Sequence, residues 1–152
     1  MKHFALILLS FLSVLGILDS PRILNACTCL GISVDTAYAQ AEVVFLGRVT
    51  KCELKSDYRG DNKLVHRASQ YKLATLVVSR SWKGALDSLV QVTTASEGSM
   101  CGVGFAVGEK YLVYGVHVQG RLSTNICARS TLESYATEDL SILNKKYSRD
   151  SN

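Results

Sequence analysis

The chain has 152 residues, which suits one domain with a modest core, and a formal charge of +4. Its 17 Lys and Arg against 13 Asp and Glu form no long basic run, which argues against a dedicated nucleic-acid surface. There is one proline and there are five cysteines, and no internal repeat or low-complexity segment breaks the chain.

Met1-Lys2-His3 opens onto an apolar run ending at Leu18. That run falls short of the roughly 20 residues a spanning helix needs and fits the apolar centre of a secretory leader. Polar residues 19–22, with Pro21, end it. Residues 1–26 are therefore expected to be a signal peptide, with residues 27–146 the domain and 147–152 a tail. Cleavage after Ala26 places a small residue at the −1 position, although Leu24 at −3 is bulkier than usual. Losing Lys2, Asp19 and Arg22 leaves a charge of about +3. No membrane span is expected, and the localisation implied is extracellular.

Residues 33–41, SVDTAYAQA, read as a short helix with Ser33 as N-cap and Asp35 in the first turn. Residues 42–51, EVVFLGRVTK, are β-branched and aromatic and read as a strand. The polar stretch 53–67, with Gly60-Asp61-Asn62, reads as a loop or the tip of a long hairpin. A second strand is expected over 69–82, with Tyr71, Leu73, Thr75 and Val77 on one face. A third covers 88–95, and a glycine-rich connector follows. A fourth covers 111–119, Gly120 turns the chain, and a fifth covers 121–127.

The tail from Ser130 reads as a helix. Ser130 and Glu133 match a capping box, and Leu132, Ala136, Leu140 and Leu143 recur at helical spacing. Lys145 and Lys146 lie where a helix dipole favours cations. The fold expected is all-β with flanking helices: a five-stranded OB-type closed barrel, a short N-terminal helix and a longer C-terminal one. Closure removes exposed sheet edges.

The cysteines are Cys27, Cys29, Cys52, Cys101 and Cys127. A secreted chain enters an oxidising compartment, so a disulfide framework is expected, with one thiol left over. Spacing alone leaves the pairing open. A structural zinc on Cys27, Cys29, Cys101 and Cys127 is the weaker reading in such a compartment.

Enzyme signatures are missing. His66 and His117 have no cysteine or carboxylate at metal-ligand spacing, and there is no HExxH, CxxC or nucleophile elbow. Gly102 to Gly108, GVGFAVG, resembles a dinucleotide fingerprint only superficially, since its spacing is wrong and a strand follows. A Cys52–His66 pair is the one remaining catalytic combination, and a leftover thiol near a surface histidine is the simpler account. No cofactor is expected.

Several motifs in order carry a family resemblance. Cys27-Thr28-Cys29 opens the mature chain, and a short helix and AEVVFLGRV follow. Then come SMCGVGF, GEKYLVYG and NIC before the terminal helix. In this series the chain resembles the N-terminal domain of the tissue inhibitors of metalloproteinases, in a single-domain form, over residues 27 to about 143. The resemblance implies an OB-type barrel and disulfides joining Cys27 to Cys101 and Cys29 to Cys127. A further family cysteine would fall at Ala39 and is missing, and Cys52 has no counterpart in the family pattern.

The implied function is inhibition of zinc metalloproteases of the matrix-metalloprotease kind. The backbone amine and carbonyl of Cys27 would meet the protease zinc. Thr28 would enter the pocket beside it, and Cys29, Leu30 and Gly31 would lie along the cleft. Glu97, Gly98, Ser99 and Met100 would flank them. A monomer is expected, with Cys52 able to link two copies.

Two other readings use the same residues. LNAC resembles a bacterial lipoprotein box, which would make the protein a membrane-anchored binding module lipidated at Cys27. An OB-type binder of single strands or sugars would need exposed aromatics, for which Tyr58, Tyr71 and Trp82 are the candidates.

Overall fold

The computed structural model describes residues 27–57, 69–84, 86–96 and 101–148. The expected signal peptide, most of the expected loop or hairpin tip, including Tyr58 and His66, and Glu97 to Met100 lie outside the described residues. Helix α1 (Val34–Gln40) starts as its sequence predicts: the Ser33 side chain accepts a hydrogen bond from the Thr36 N–H at 3.1 Å.

Six strands follow: β1 (Val43–Asp57), β2 (Ser69–Lys83), β3 (Leu89–Ala95), β4 (Lys110–Val118), β5 (Arg121–Ser123) and β6 (Thr131–Leu132). Their order is β1-β2-β3-β5-β4-β6, and β1 also pairs with β4, which closes a ring of five strands. Apart from the parallel β3–β5 contact at Thr93 and Ser123, the pairings are antiparallel.

Closure depends on the length of β1. Val43 to Arg48 pair with Gly115 to Lys110 of β4 on one edge. The other edge pairs with β2 from Val44 opposite Lys83 to Asp57 opposite Ser69, with three register shifts. Such bulges raise local twist and let a strand bend around a ring. Beyond Arg48, β1 leaves β4 and stays paired with β2 as far as Asp57 opposite Ser69, while β2 pairs on its other edge with β3 from Tyr71 to Val77.

The continuous apolar run that opens β1 is explained by burial on both faces. Val43, Phe45 and Val49 join Ala74, Leu76, Val90, Val92, Tyr111, Val113 and Leu122 in one cluster, which draws on all five ring strands. The intervening Val44 and Leu46 join Leu112 and Tyr114 of β4 in a second cluster with Val34, Ala37, Trp82, Ala136 and Leu143. Alternation along β1 and β4 thus builds two cores from the same strands.

Where β2 faces β3, its buried residues are Ala74 and Leu76, opposite Val92 and Val90, while Val77 is exposed. The apolar face of β2 is therefore offset by one residue from the Tyr71–Leu73–Thr75–Val77 set.

The C-terminal region departs from its sequence reading. β5 stops at Ser123 because the Asn125 side chain accepts from the Ala128 N–H at 3.0 Å and caps a 3-10 turn, Ile126–Ala128. Thr131 and Leu132 are not helical but pair with Leu112 and Tyr111 as β6. A second 3-10 turn, Glu133–Tyr135, leads into α2 (Thr137–Lys146).

Ser130 caps no helix, since its buried hydroxyl accepts from the Tyr114 N–H at 2.8 Å and bonds Thr124 Oγ1 at 2.6 Å. Tertiary demand for that hydroxyl overrides the local capping pattern. Leu140 and Leu143 do pack inward, and Tyr147 stacks on Tyr38 of α1 at 3.8 Å.

Trp82 is buried, donates from Nε1 to Asn144 Oδ1 at 3.1 Å and belongs to the helix-side core. Tyr71 is half-buried beneath the Arg121 guanidinium, 5.1 Å from its ring. Neither offers an open stacking face of the kind a nucleic-acid reader needs. No helix among the described residues is long and apolar enough to cross a membrane.

Candidate functional site

The four residues of Cys-Thr-Cys-Leu run along the outside of the domain. Cys27 is half-buried, whereas Thr28, Cys29, Leu30 and Gly31 are exposed, Leu30 to 87%. Two disulfides attach them: Cys27 to Cys101, with a Cα–Cα distance of 5.3 Å, and Cys29 to Cys127, at 5.1 Å. The pairing implied by the resemblance is the one formed. Cys27 Sγ also lies 3.7 Å from Cys127 Sγ, so the two bonds touch.

With all four sulfurs in disulfides, no thiolate remains there for a structural zinc. Cys52 lies outside both bonds, half-buried on β1 opposite Ala74.

The anchors of the two bonds are themselves tied down. Cys101 begins the described part of the connector after β3, and Gly102 brings that connector against β3. A Cβ at Gly102 would stand 2.1 Å from the Ala95 carbonyl oxygen, so only glycine allows the approach. The Val103 N–H then donates to Thr94 Oγ1 at 2.9 Å. The Ile126 N–H donates to the Cys101 carbonyl at 3.0 Å, joining the two anchor segments directly. Thr124, just before that turn, is held by its N–H to the Thr93 carbonyl and its hydroxyl to the Tyr114 carbonyl.

A charged cluster sits behind the ridge. Arg129, two residues past Cys127, donates from Nε to Asp139 Oδ1 at 2.9 Å and from Nη2 to Asp139 Oδ2. From Nη1 it donates to the Ile32 carbonyl at 2.8 Å. The Tyr114 hydroxyl donates to Asp139 Oδ1 at 2.8 Å. Burial first, then the Asp139 carboxylate, pushes Tyr114 well above its ordinary range, so the hydroxyl remains a donor. The hydrogen bond to Asp139 likewise pushes Arg129 up, which keeps the guanidinium charged.

Sequence reading missed both Arg129 and Asp139. One signal was available: Asp139 lies three residues after Ala136 and four before Leu143, on the helix stripe that packs inward.

The expected ridge residues Cys27, Thr28, Cys29, Leu30 and Gly31 are thus together on one exposed segment. The proposed flank, Glu97, Gly98, Ser99 and Met100, lies outside the described residues, immediately before Cys101.

A search of curated proteins finds no match to the chain. A family model, tissue inhibitor of metalloproteinase, matches residues 25–150. That span includes both disulfides, every described strand and both helices. The chain belongs to the tissue inhibitor of metalloproteinase family, whose members inhibit metalloproteinases and are not enzymes.

Proposed function

We propose that the protein is a secreted inhibitor of zinc metalloendopeptidases that caps the protease zinc with the free amine and carbonyl oxygen of Cys27. A catalytic protease zinc keeps one position open beside its protein ligands. An N-terminal amine and the carbonyl of the same residue form a five-membered chelate that displaces the zinc-bound water. The amine must be neutral to bind, and its unperturbed pKa is about 8, so inhibition weakens as the pH falls. Thr28 enters the adjoining specificity pocket, and Cys29, Leu30 and Gly31 run along the substrate cleft. Glu97, Gly98, Ser99 and Met100 contact the far side of the Cys27–Cys101 bond.

The observation that carries this reading is the exposed Thr28 between two cysteines, each bonded to a different anchor. A ridge tethered on both sides loses little entropy on binding. The disulfides also support secretion, since such bonds persist in oxidising compartments. They speak against lipidation, because a thioether lipid needs the Cys27 sulfur that Cys101 occupies.

The decisive experiment compares the mature protein, its N-terminus established by sequencing, with a form carrying one extra alanine before Cys27. The extension converts the amine to an amide and is expected to abolish inhibition of a metalloprotease panel. Retained potency, or a mature chain that starts before Cys27 and still inhibits, refutes the chelate.

A further inference from the structure

We propose that Arg129 is a positioning residue that aims the ridge, acting through the Ile32 carbonyl. The proposal rests on the inhibitory reading of residues 27–31.

Disulfides fix Cys27 and Cys29 at their sulfurs, but they leave the direction of the chain beyond Cys29 open. Packing does not set it at the next two residues: Leu30 is 87% exposed, and a Cβ placed on Gly31 would meet nothing within 4 Å. Among the described residues, no backbone hydrogen bond joins residues 27–32 to the sheet. The chain is next fixed at Ile32, whose side chain packs against the helix-side core and whose carbonyl accepts from Arg129 Nη1 at 2.8 Å, the contact that sets the peptide plane. Ser33 then caps α1.

That contact is rigidly backed. Asp139 is 4% exposed and takes both Nε and Nη2 of Arg129, while Tyr114 of β4 donates to the same carboxylate. The guanidinium plane is therefore set by a buried carboxylate, and its remaining arm points at the ridge exit. A bidentate pair fixes orientation as well as distance.

The backbone supports the same role. Arg129 has φ 68°, a left-handed conformation that non-glycine residues rarely adopt and that surrounding structure must enforce. It lies two residues from Cys127, the partner of Cys29. One short turn thus carries both the sulfur that holds Cys29 and the guanidinium that holds Ile32. The Arg129–Asp139 pair alone would be enough to dock α2. The arm to Ile32, 97 residues away in sequence, adds nothing to that docking and acts on the ridge.

The test uses the full mature protein with Arg129→Lys and, as a second variant, Arg129→Gln. A lysine ammonium can still face Asp139 but cannot hold the carboxylate and the Ile32 carbonyl in one plane. Three readouts are needed: thermal unfolding, ¹⁵N order parameters and inhibition of a metalloprotease.

Order parameters of residues 28–32 are expected to fall from the rigid value of about 0.85 towards about 0.6, with those of the ring strands unchanged. Inhibition well below the unfolding temperature is expected to weaken roughly tenfold, the scale of one hydrogen bond to a charged group. A ridge that stays rigid in both variants overturns the proposal, and so does a loosened ridge with unchanged inhibition. If the parent protein inhibits no metalloprotease, the chelate reading fails, and the order parameters still decide whether Arg129 aims the segment.

Discussion

The two disulfides should be nearly equal in their contribution to stability, and neither should reach the value it would have alone. Taken separately they close loops of 74 and 98 residues, worth about 4.5 and about 4.7 kcal/mol by chain entropy. They are not separate. With Cys27–Cys101 intact, the path from Cys29 to Cys127 runs back two residues, across the bond, and forward from Cys101. With Cys29–Cys127 intact, the path from Cys27 to Cys101 traverses the same stretches. In either case the remaining loop is roughly 28 residues, and the lost bond costs about 3.6 kcal/mol.

The sulfur–sulfur contact at 3.7 Å involves one atom of each bond, so deleting either bond removes it and the equality survives. Removing both should cost about 8 kcal/mol, more than the two single losses together and comparable to a whole domain's stability of about 5–15 kcal/mol. The assay is urea unfolding of the Cys27→Ala/Cys101→Ala and Cys29→Ala/Cys127→Ala proteins and of the quadruple variant, which should be largely unfolded by circular dichroism. Single-bond variants differing by more than about 1 kcal/mol, or a quadruple variant no worse than the sum of the two, would refute the coupled-loop reasoning.

Gly102→Ala must displace the Ala95 backbone and should cost at least about 1–3 kcal/mol, whereas Gly104→Ala, with open space around it, should be near neutral; equal melting temperatures would contradict the close approach. Leu143→Ala removes a fully buried side chain from the helix-side core and should cost about 2–5 kcal/mol by urea unfolding. Thr28→Gly should leave the fold intact and change the ranking of proteases inhibited, so an unchanged profile argues against pocket insertion.

Asp35 links α1 to α2, and its hydrogen bond from Lys146, then that from Tyr147, holds its carboxyl below the ordinary 3.8. A depressed folded value means stability that is present above about pH 4 and lost as the pH falls through the folded value. The same contact raises Lys146 above 10.5, so its share is present below that value and lost on the alkaline side. Asp35→Asn should flatten the acid limb of stability against pH; a limb matching the parent's rules the contact out as its cause.

What the sequence made legible follows from where its signals were local. Ser33 capped α1 because nothing else competes for its hydroxyl beyond neighbouring Thr36. The run Val43 to Leu46 announced a strand, while its burial on two sides emerged only with the two cores it joins. The failures share one cause, tertiary partners that local pattern does not contain. Ser130 satisfied a capping motif, but the Tyr114 N–H and Thr124 claimed its hydroxyl. Leu132 fitted a helical stripe, but β4 offered it an edge opposite Tyr111.

The disulfide pairing came through the family resemblance rather than through spacing. The ridge residues were named from the same source, while the Arg129–Asp139 support behind them was not. Its members lie ten residues apart, and neither belongs to a motif.

Ring closure has a kinetic consequence. Val43 must find Gly115, a contact across 72 residues of chain, before β1 can join both of its neighbours. Long-range pairings of this kind slow folding, because the loop entropy is lost before the contacts form. Once Cys27 and Cys101 are joined, the same encounter spans only about 30 residues, which lowers its entropic cost by roughly 0.8 kcal/mol, or about fourfold in rate. The bond that anchors the ridge therefore also shortens the search that closes the sheet. Oxidised chains should refold ahead of reduced ones even where both reach the same fold.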